Sequence, residues 1–137
     1  MTLVLDSSVT VAWFFRDEQT DAVRGVLGTV SQSGAVVPSL WRIEVANALQ
    51  MAVRRGRIDE GYRDLSIADL AIMDIVVDAE SDRHVWSTTL NLANRFRLTI
   101  YDAIYLEVAQ RLALPLASLD RQLRRAASGL GLTLLGT

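Results

Sequence analysis

Short, continuously apolar runs alternate along this chain with longer stretches of helical periodicity. Leu3-Val4-Leu5, Ala35-Val36-Val37, Ile75-Val76-Val77, Pro115 to Leu119 and Leu132 to Leu135 read as strands. Runs this short and without polar alternation suit strands buried on both faces, as in parallel sheets. Between them, Val9 to Phe15, Asp21 to Val30, Leu40 to Arg55, Asp59 to Ile72, Asp82 to Phe96, Tyr101 to Leu112 and Asp120 to Ala127 read as helices. Ser39 is placed to cap the Leu40 helix and Gly56 to end it. In the clearest helix, Tyr101, Ile104, Tyr105, Val108, Ala109 and Leu112 form one apolar stripe at helical spacing. The alternation predicts an α/β fold in three layers, with a central, mostly parallel sheet of four to five strands flanked by about seven helices. No repeat, low-complexity tract or linker interrupts it, so a single domain over residues 1–137 is expected.

In such a sheet the functional crevice lies outside the carboxyl ends of the strands. Asp6 ends the first strand and Asp120 the fourth, so both belong to one edge. Each also precedes a helix, where aspartate is a common cap. Asp102 enters the first turn of the long helix, in Thr99-Ile100-Tyr101-Asp102, which resembles a capping box. A helix N-terminus favours a carboxylate in any case, so capping and membership of a site are compatible. Glu44 lies at the border of a stripe formed by Trp41, Val45, Ala48, Leu49 and Ala52. A charge there is costly unless it is paired or bound to metal, and Arg42, two residues away, points elsewhere on the helix.

Two carboxylates ~5 Å apart repel by roughly 3 kcal/mol at an effective dielectric near 20. Four together have raised pKa values unless a cation neutralises them. An all-oxygen set without histidine or cysteine selects a hard ion, Mg²⁺ or Mn²⁺.

Composition narrows the setting. The chain has 137 residues, half of them hydrophobic, enough for a core without staples. It has no cysteine, which excludes a disulfide framework, a thiolate nucleophile and a thiolate zinc site. The first apolar run has no basic region before it and closes on Asp6, unlike a signal peptide. No apolar stretch approaches the ~20 residues of a membrane span. A cytoplasmic protein without membrane contact is expected. The net charge of −2 does not mark a nucleic-acid binder, although all 14 basic residues are arginine, the side chain suited to bidentate phosphate contacts. His84 has no partner at ligand spacing and reads as an ordinary surface or helix residue. Trp13, Trp41 and Trp86 read as core or interface.

Four segments carry a resemblance to a known family. Leu5-Asp6-Ser7-Ser8-Val9 followed by Ala12-Trp13-Phe14 and Asp17-Glu18, then Ile43 to Leu49 around Glu44, Leu98 to Ala103 around Asp102, and Leu116-Ala117-Ser118-Leu119-Asp120 resemble, in order, the acidic motifs of PIN-domain ribonucleases of the VapC toxin type. The likeness spans almost the whole chain. Ser118 stands where threonine is frequent in that family, which keeps a hydroxyl.

The resemblance implies that Asp6, Glu44, Asp102 and Asp120 hold Mg²⁺ or Mn²⁺, with Glu44 or Asp102 orienting or deprotonating the attacking water. It implies RNA as substrate, cleaved to a 5′-phosphate and a 3′-hydroxyl, a homodimer, and a cognate antitoxin covering the acidic groove. Ser8, Asn47 and Ser118 are candidates to support the metal ligands, with a structural role as the alternative. Arg121, Arg124 and Arg125 are candidates for RNA phosphates, while Arg54, Arg55 and Arg57 read as a solvated helix end. The rival from the same evidence of motifs is a catalytically inactive PIN-like binding or regulatory module. A receiver domain is excluded because Ser7-Ser8 replace its second acid and the chain has no lysine, and a haloacid-dehalogenase phosphatase because Asp6-Ser7-Ser8 lacks an Asp-x-Asp.

Overall fold

The computed structural model describes residues 2–137. β1 (Val4–Leu5) leads into α1 (Ser7–Ala12), a 3₁₀ turn (Arg16–Glu18) and α2 (Asp21–Ser33). β2 (Ala35–Val37) is followed by α3 (Leu40–Arg54) and α4 (Glu60–Ala71). After β3 (Ile75–Val77) a helical stretch ends as α5 (Leu90–Phe96), and α6 (Ile100–Leu112), β4 (Leu116–Ala117), α7 (Arg121–Gly129) and β5 (Leu134–Leu135) complete the chain. The strands form one parallel sheet in the order β3-β2-β1-β4-β5. The α/β class and the sheet expected from the sequence are therefore found, with all five strands parallel.

Val4 and Leu5 point to opposite faces of the sheet, and neither is exposed. The same holds for Leu116 and Ala117, so both faces must be covered by helices. α1 packs on α3 and α3 on α4, while α6 lies against β1 and β4 and also packs on α5 and α7. The chain starts at the central strand, builds outward through β2 and β3, and then returns to the other side of β1 for β4 and β5. The reversal falls between β1 and β4. Connections leaving those two strands diverge, which opens a crevice at their carboxyl ends.

Several sequence-based expectations need correction. α1 ends at Ala12, three residues before Phe15. Ser39 adopts helical backbone angles and makes no capping bond, and the first turn instead closes through Trp41 N–H to the Pro38 carbonyl at 3.0 Å. The Asp82 to Phe96 stretch is helical but changes pitch, from 3₁₀ (Ser81–His84) through π (Val85–Thr89) to α5. Trp86, on the π segment, is 93 % exposed and so is not core. Tyr101 is 60 % exposed and lies off the buried surface of α6, whereas Ala103, Leu106 and Glu107 are buried outside the expected stripe. Neighbours on several sides of α6 bury more of its circumference than a single stripe would.

The buried Glu107 is matched by Arg111, whose Nε lies 2.7 Å from Glu107 Oε1 and whose Nη2 lies 2.5 Å from Asp78 Oδ2. This arginine ties α6 to the segment after β3. Burial works to raise the Asp78 carboxyl, but hydrogen bonds from Arg111 and Ser81 outweigh it and hold the group below the usual carboxylate range. His84, half-buried, brings its Nε2 to 3.8 Å from Glu107 Oε1, so it is less ordinary than its sequence setting suggests. No helix among the described residues is long and apolar enough to cross a membrane. Replacing Arg111 by leucine leaves Glu107 buried without its partner and should lower unfolding free energy by about 3 kcal/mol. Urea denaturation measures this, and an unchanged midpoint would contradict the pairing.

Candidate active site

Asp6 and Asp120 both stand at helix starts, yet their carboxylates are used differently. Asp6 precedes α1 but makes no side-chain capping bond. Its Oδ2 instead accepts from Ser8 Oγ at 2.6 Å and from Ser118 Oγ at 2.8 Å. Ser8 Oγ in turn accepts from Leu119 N–H, and Ser118 Oγ from Asp120 N–H, each at 3.0 Å. Two hydroxyl relays thus join the end of β4 to the Asp6 carboxylate at the end of β1, and among the described residues none donates to Oδ1 of Asp6. Asp120 does cap α7, through Oδ1 accepting from Leu123 N–H at 2.8 Å. Its second oxygen remains outside the cap.

The capping role considered for Asp102 belongs to Thr99, whose Oγ1 accepts from Asp102 N–H at 3.2 Å. The Asp102 carboxyl is half-buried and pushed up to about 6, by burial first and then by the charges of Asp120, Asp6 and Glu44. Asp6 is also raised, mainly by burial, against the pull of its two serines and with the help of Glu44 and Asp120. The four acids are therefore electrostatic neighbours. Among the described residues, no three of them stand close enough to form a closed set of metal ligands.

Glu44 is half-buried on α3, at the margin of the buried Trp41, Val45, Leu49 and Ala52. α3 is brought to α1 partly by Trp41 Nε1, which donates to Thr10 Oγ1 at 2.9 Å. Glu44 Oε1 accepts from Tyr105 Oη at 2.6 Å and from Ser7 Oγ at 3.2 Å. Neither donor was singled out in the sequence. Tyr105 was read only as part of the apolar stripe, although its spacing of three from Asp102 places the two on the same side of α6.

An open cleft of about 370 Å³ is lined by Ser7, Ser8, Glu18, Ala48, Leu119 and Asp120. Of the remaining candidates, Asn47 is exposed and makes no side-chain hydrogen bond to the described residues. Arg121 and Arg125 are exposed on α7, whereas Arg124 donates to the carbonyls of Ser118 at 2.8 Å and Leu135 at 2.9 Å. Its guanidinium fastens the ends of β4 and β5. In the second basic cluster Arg57 is not simply solvated: it pairs with Asp17 at 2.7 Å and Glu18 at 3.0 Å and lies over the Phe15 ring.

The chain belongs to the PIN domain family, whose model matches residues 3–129. Within it, the chain is similar to ribonuclease VapC3 of Pyrobaculum aerophilum, with 28% identity over 123 residues that cover 90% of this chain and 92% of the relative. The crystal structure of PAE2754 from the same organism superposes with a TM-score of 0.71 at 23% identity, covering 98% of this chain and 83% of the other. VapBC2 from Rickettsia felis, solved bound to a DNA fragment from its promoter, gives a TM-score of 0.63 at 13% identity, covering 98% of this chain and 97% of the other. The resemblance to VapC-type PIN domains read from the four motifs is borne out.

Because the folded-state pKa of Asp102 lies above its unfolded value, the folded chain without metal holds this proton more tightly. That contribution to stability is present near pH 4 and is lost as pH rises through about 6. Asp102→Asn should remove this loss. At pH 7.5 without metal the variant should melt about 3 °C above the parent, corresponding to roughly 1 kcal/mol after discounting for solvent screening of a half-exposed group. The gap should narrow as pH falls below about 6 and close below the unfolded value of 3.8. Calorimetry checks both, and a lower melting temperature for the variant at pH 7.5 would count against the mutual repulsion.

Proposed function

We propose that this chain is a divalent-metal-dependent endoribonuclease and the toxin of a toxin–antitoxin pair. The observation that supports the reading is that Asp6, Glu44, Asp102 and Asp120 are near enough to act on one another electrostatically: Asp102 is raised first by burial and then by the charges of the other three. The donor chemistry fits the metal: four carboxylates, with no nitrogen or sulfur ligand among them, suit Mg²⁺ or Mn²⁺. The similarity to a VapC ribonuclease supports RNA as the substrate.

A bound Mg²⁺ or Mn²⁺ supplies Lewis-acid activation of water and counter-charge for a phosphate oxygen. Asp6, fixed by Ser8 and Ser118, and Asp120, fixed by its capping bond, are the two rigid ligands of the proposed site. Glu44 or Asp102 takes the proton of the attacking water. The water oxygen bonds to phosphorus as the P–O3′ bond breaks, and the leaving 3′-oxygen takes a proton from solvent in the open cleft, giving a 5′-phosphate and a 3′-hydroxyl. Arg121 and Arg125, exposed on α7, hold flanking phosphates, and Arg124 is withdrawn from that role by its bonds to the backbone.

An antitoxin is the proposed protein partner, which the likeness to the VapBC2 complex supports. In this reading the antitoxin covers the acidic groove. The reading also includes a homodimer, a single PIN domain over residues 1–137 and a cytoplasmic setting.

Purified protein should cleave single-stranded RNA with Mg²⁺ and stop with EDTA, and Asp6→Asn should lower kcat by about 100-fold or more. Equal cleavage by that variant sinks the site assignment, while a folded wild type that binds RNA without cutting it supports the inactive binding module instead. Arg121→Ala and Arg125→Ala should weaken RNA binding and reduce its salt slope by about 0.7 each, as for phosphate contacts to single strands. Arg124→Ala should instead lower the melting temperature. Filter binding across a salt series and a thermal melt separate the two effects.

A further inference from the structure

Among the four acids, only Glu44 comes from α3, the one helix of the site that does not follow β1 or β4 and is not α6. No strand end positions it and no helix start holds its backbone. Its carboxylate is located by two hydroxyls from two other elements: Tyr105, 61 residues away on α6, and Ser7 at the start of α1. Both reach the same oxygen, Oε1. Two donors restrain this oxygen, and among the described residues none donates to Oε2.

The phenol of Tyr105 is suited to that task. Its ring is fully buried in the core, so it has no rotational freedom to spend, and its hydroxyl meets Glu44 at 2.6 Å. A phenol is protonated at neutral pH, so its hydroxyl is available as a donor to the carboxylate. Tyr105 also lies three residues after Asp102 on α6. One rigid helix therefore carries a proposed ligand and, one turn on, the group that aims another ligand arriving from a different helix.

We propose that Tyr105, assisted by Ser7, is the positioning residue that holds Glu44 in the orientation in which it binds the divalent ion. This rests on the four-carboxylate reading and deepens it. Tyr105 itself touches neither metal nor substrate. Outer-shell partners of this kind typically contribute 10- to 100-fold in metal affinity, and here the contribution is expected to act through Glu44 alone.

The test is Mn²⁺ binding by the full chain, read by titration calorimetry and by the loss of the free-ion resonance, with a metal-free melt as the folding control. Tyr105→Phe removes only the hydroxyl and should weaken Mn²⁺ binding about 10-fold, and Ser7→Ala should weaken it by a smaller factor. In a Glu44→Gln background, Tyr105→Phe should cause no further loss, because the group it positions is already gone. A folded Tyr105→Phe that binds Mn²⁺ as tightly as wild type overturns the proposal, as does an equal loss in both backgrounds, which is the signature of a purely structural tyrosine. Should Tyr105→Phe fail to fold, Ser7→Ala decides alone, and an unchanged affinity overturns the proposal. If wild type binds no Mn²⁺, the four-carboxylate reading itself fails and takes this one with it, an outcome distinct from all the others.

Discussion

Carboxylates that face one another at the edge of a parallel sheet repel, and this repulsion is the constraint around which the rest of the structure is arranged. Asp6 is 4 % exposed and its pKa is raised by burial and by Glu44 and Asp120. Asp102 feels all three of the other acids. A side chain left to itself under such forces turns toward water. Here each acid is prevented from doing so by bonds or by the placement of its helix: serine hydroxyls on Asp6, a helix cap on Asp120, a tyrosine and a serine on Glu44, and the Thr99-capped start of α6 under Asp102.

The fold supplies the framework for those restraints. The reversal of strand order between β1 and β4 puts Asp6 and Asp120 on adjacent strand ends, and the relays through Ser8 and Ser118 make the two ends a single hydrogen-bonded unit. Arg124 reinforces it from α7 by binding the carbonyls of Ser118 and Leu135. The Trp41–Thr10 bond draws α3 against α1, and that contact brings Glu44 within reach of Ser7. On the far side Arg111 neutralises the buried Glu107, so α6 can sit deep in the molecule without an unpaired charge. Packing and polar satisfaction thus serve the same end, a rigid edge on which like charges are kept close.

Much of this was legible in the sequence because it is local. Apolar runs such as Ala35-Val36-Val37 are strands since nothing else buries them on both sides; Asp6 follows β1 directly, whereas β4 stops at Ala117, short of the expected Leu119, and Asp120 comes three residues after it. Glu44 was conspicuous because a charge beside Trp41 and Val45 needs a reason. What sequence could not supply was the partner of each polar atom. Aspartate before a helix reads as a cap in both cases, yet only Asp120 caps, because Ser118 competes for Asp6 from 112 residues away. Arg124 looked like its neighbours Arg121 and Arg125, and only the return of β5 beside β4 gives it two carbonyls to hold. Tyr105 passed as apolar because its ring is, while its hydroxyl acquires meaning from a helix 61 residues away in the chain. The change of pitch before α5 carries no signal in hydrophobic spacing at all.

If restrained repulsion among Asp6, Glu44, Asp102 and Asp120 is the organising feature, a divalent cation should relieve it. The most direct measurement is the melting temperature of the purified chain at pH 7.5 as Mn²⁺ is raised from zero, with Ca²⁺-free buffer and a monovalent salt control at matched ionic strength. The account predicts a saturating rise that follows site occupancy, absent in Asp6→Asn. A melting temperature that does not move with Mn²⁺, or that rises equally in Asp6→Asn, would contradict it.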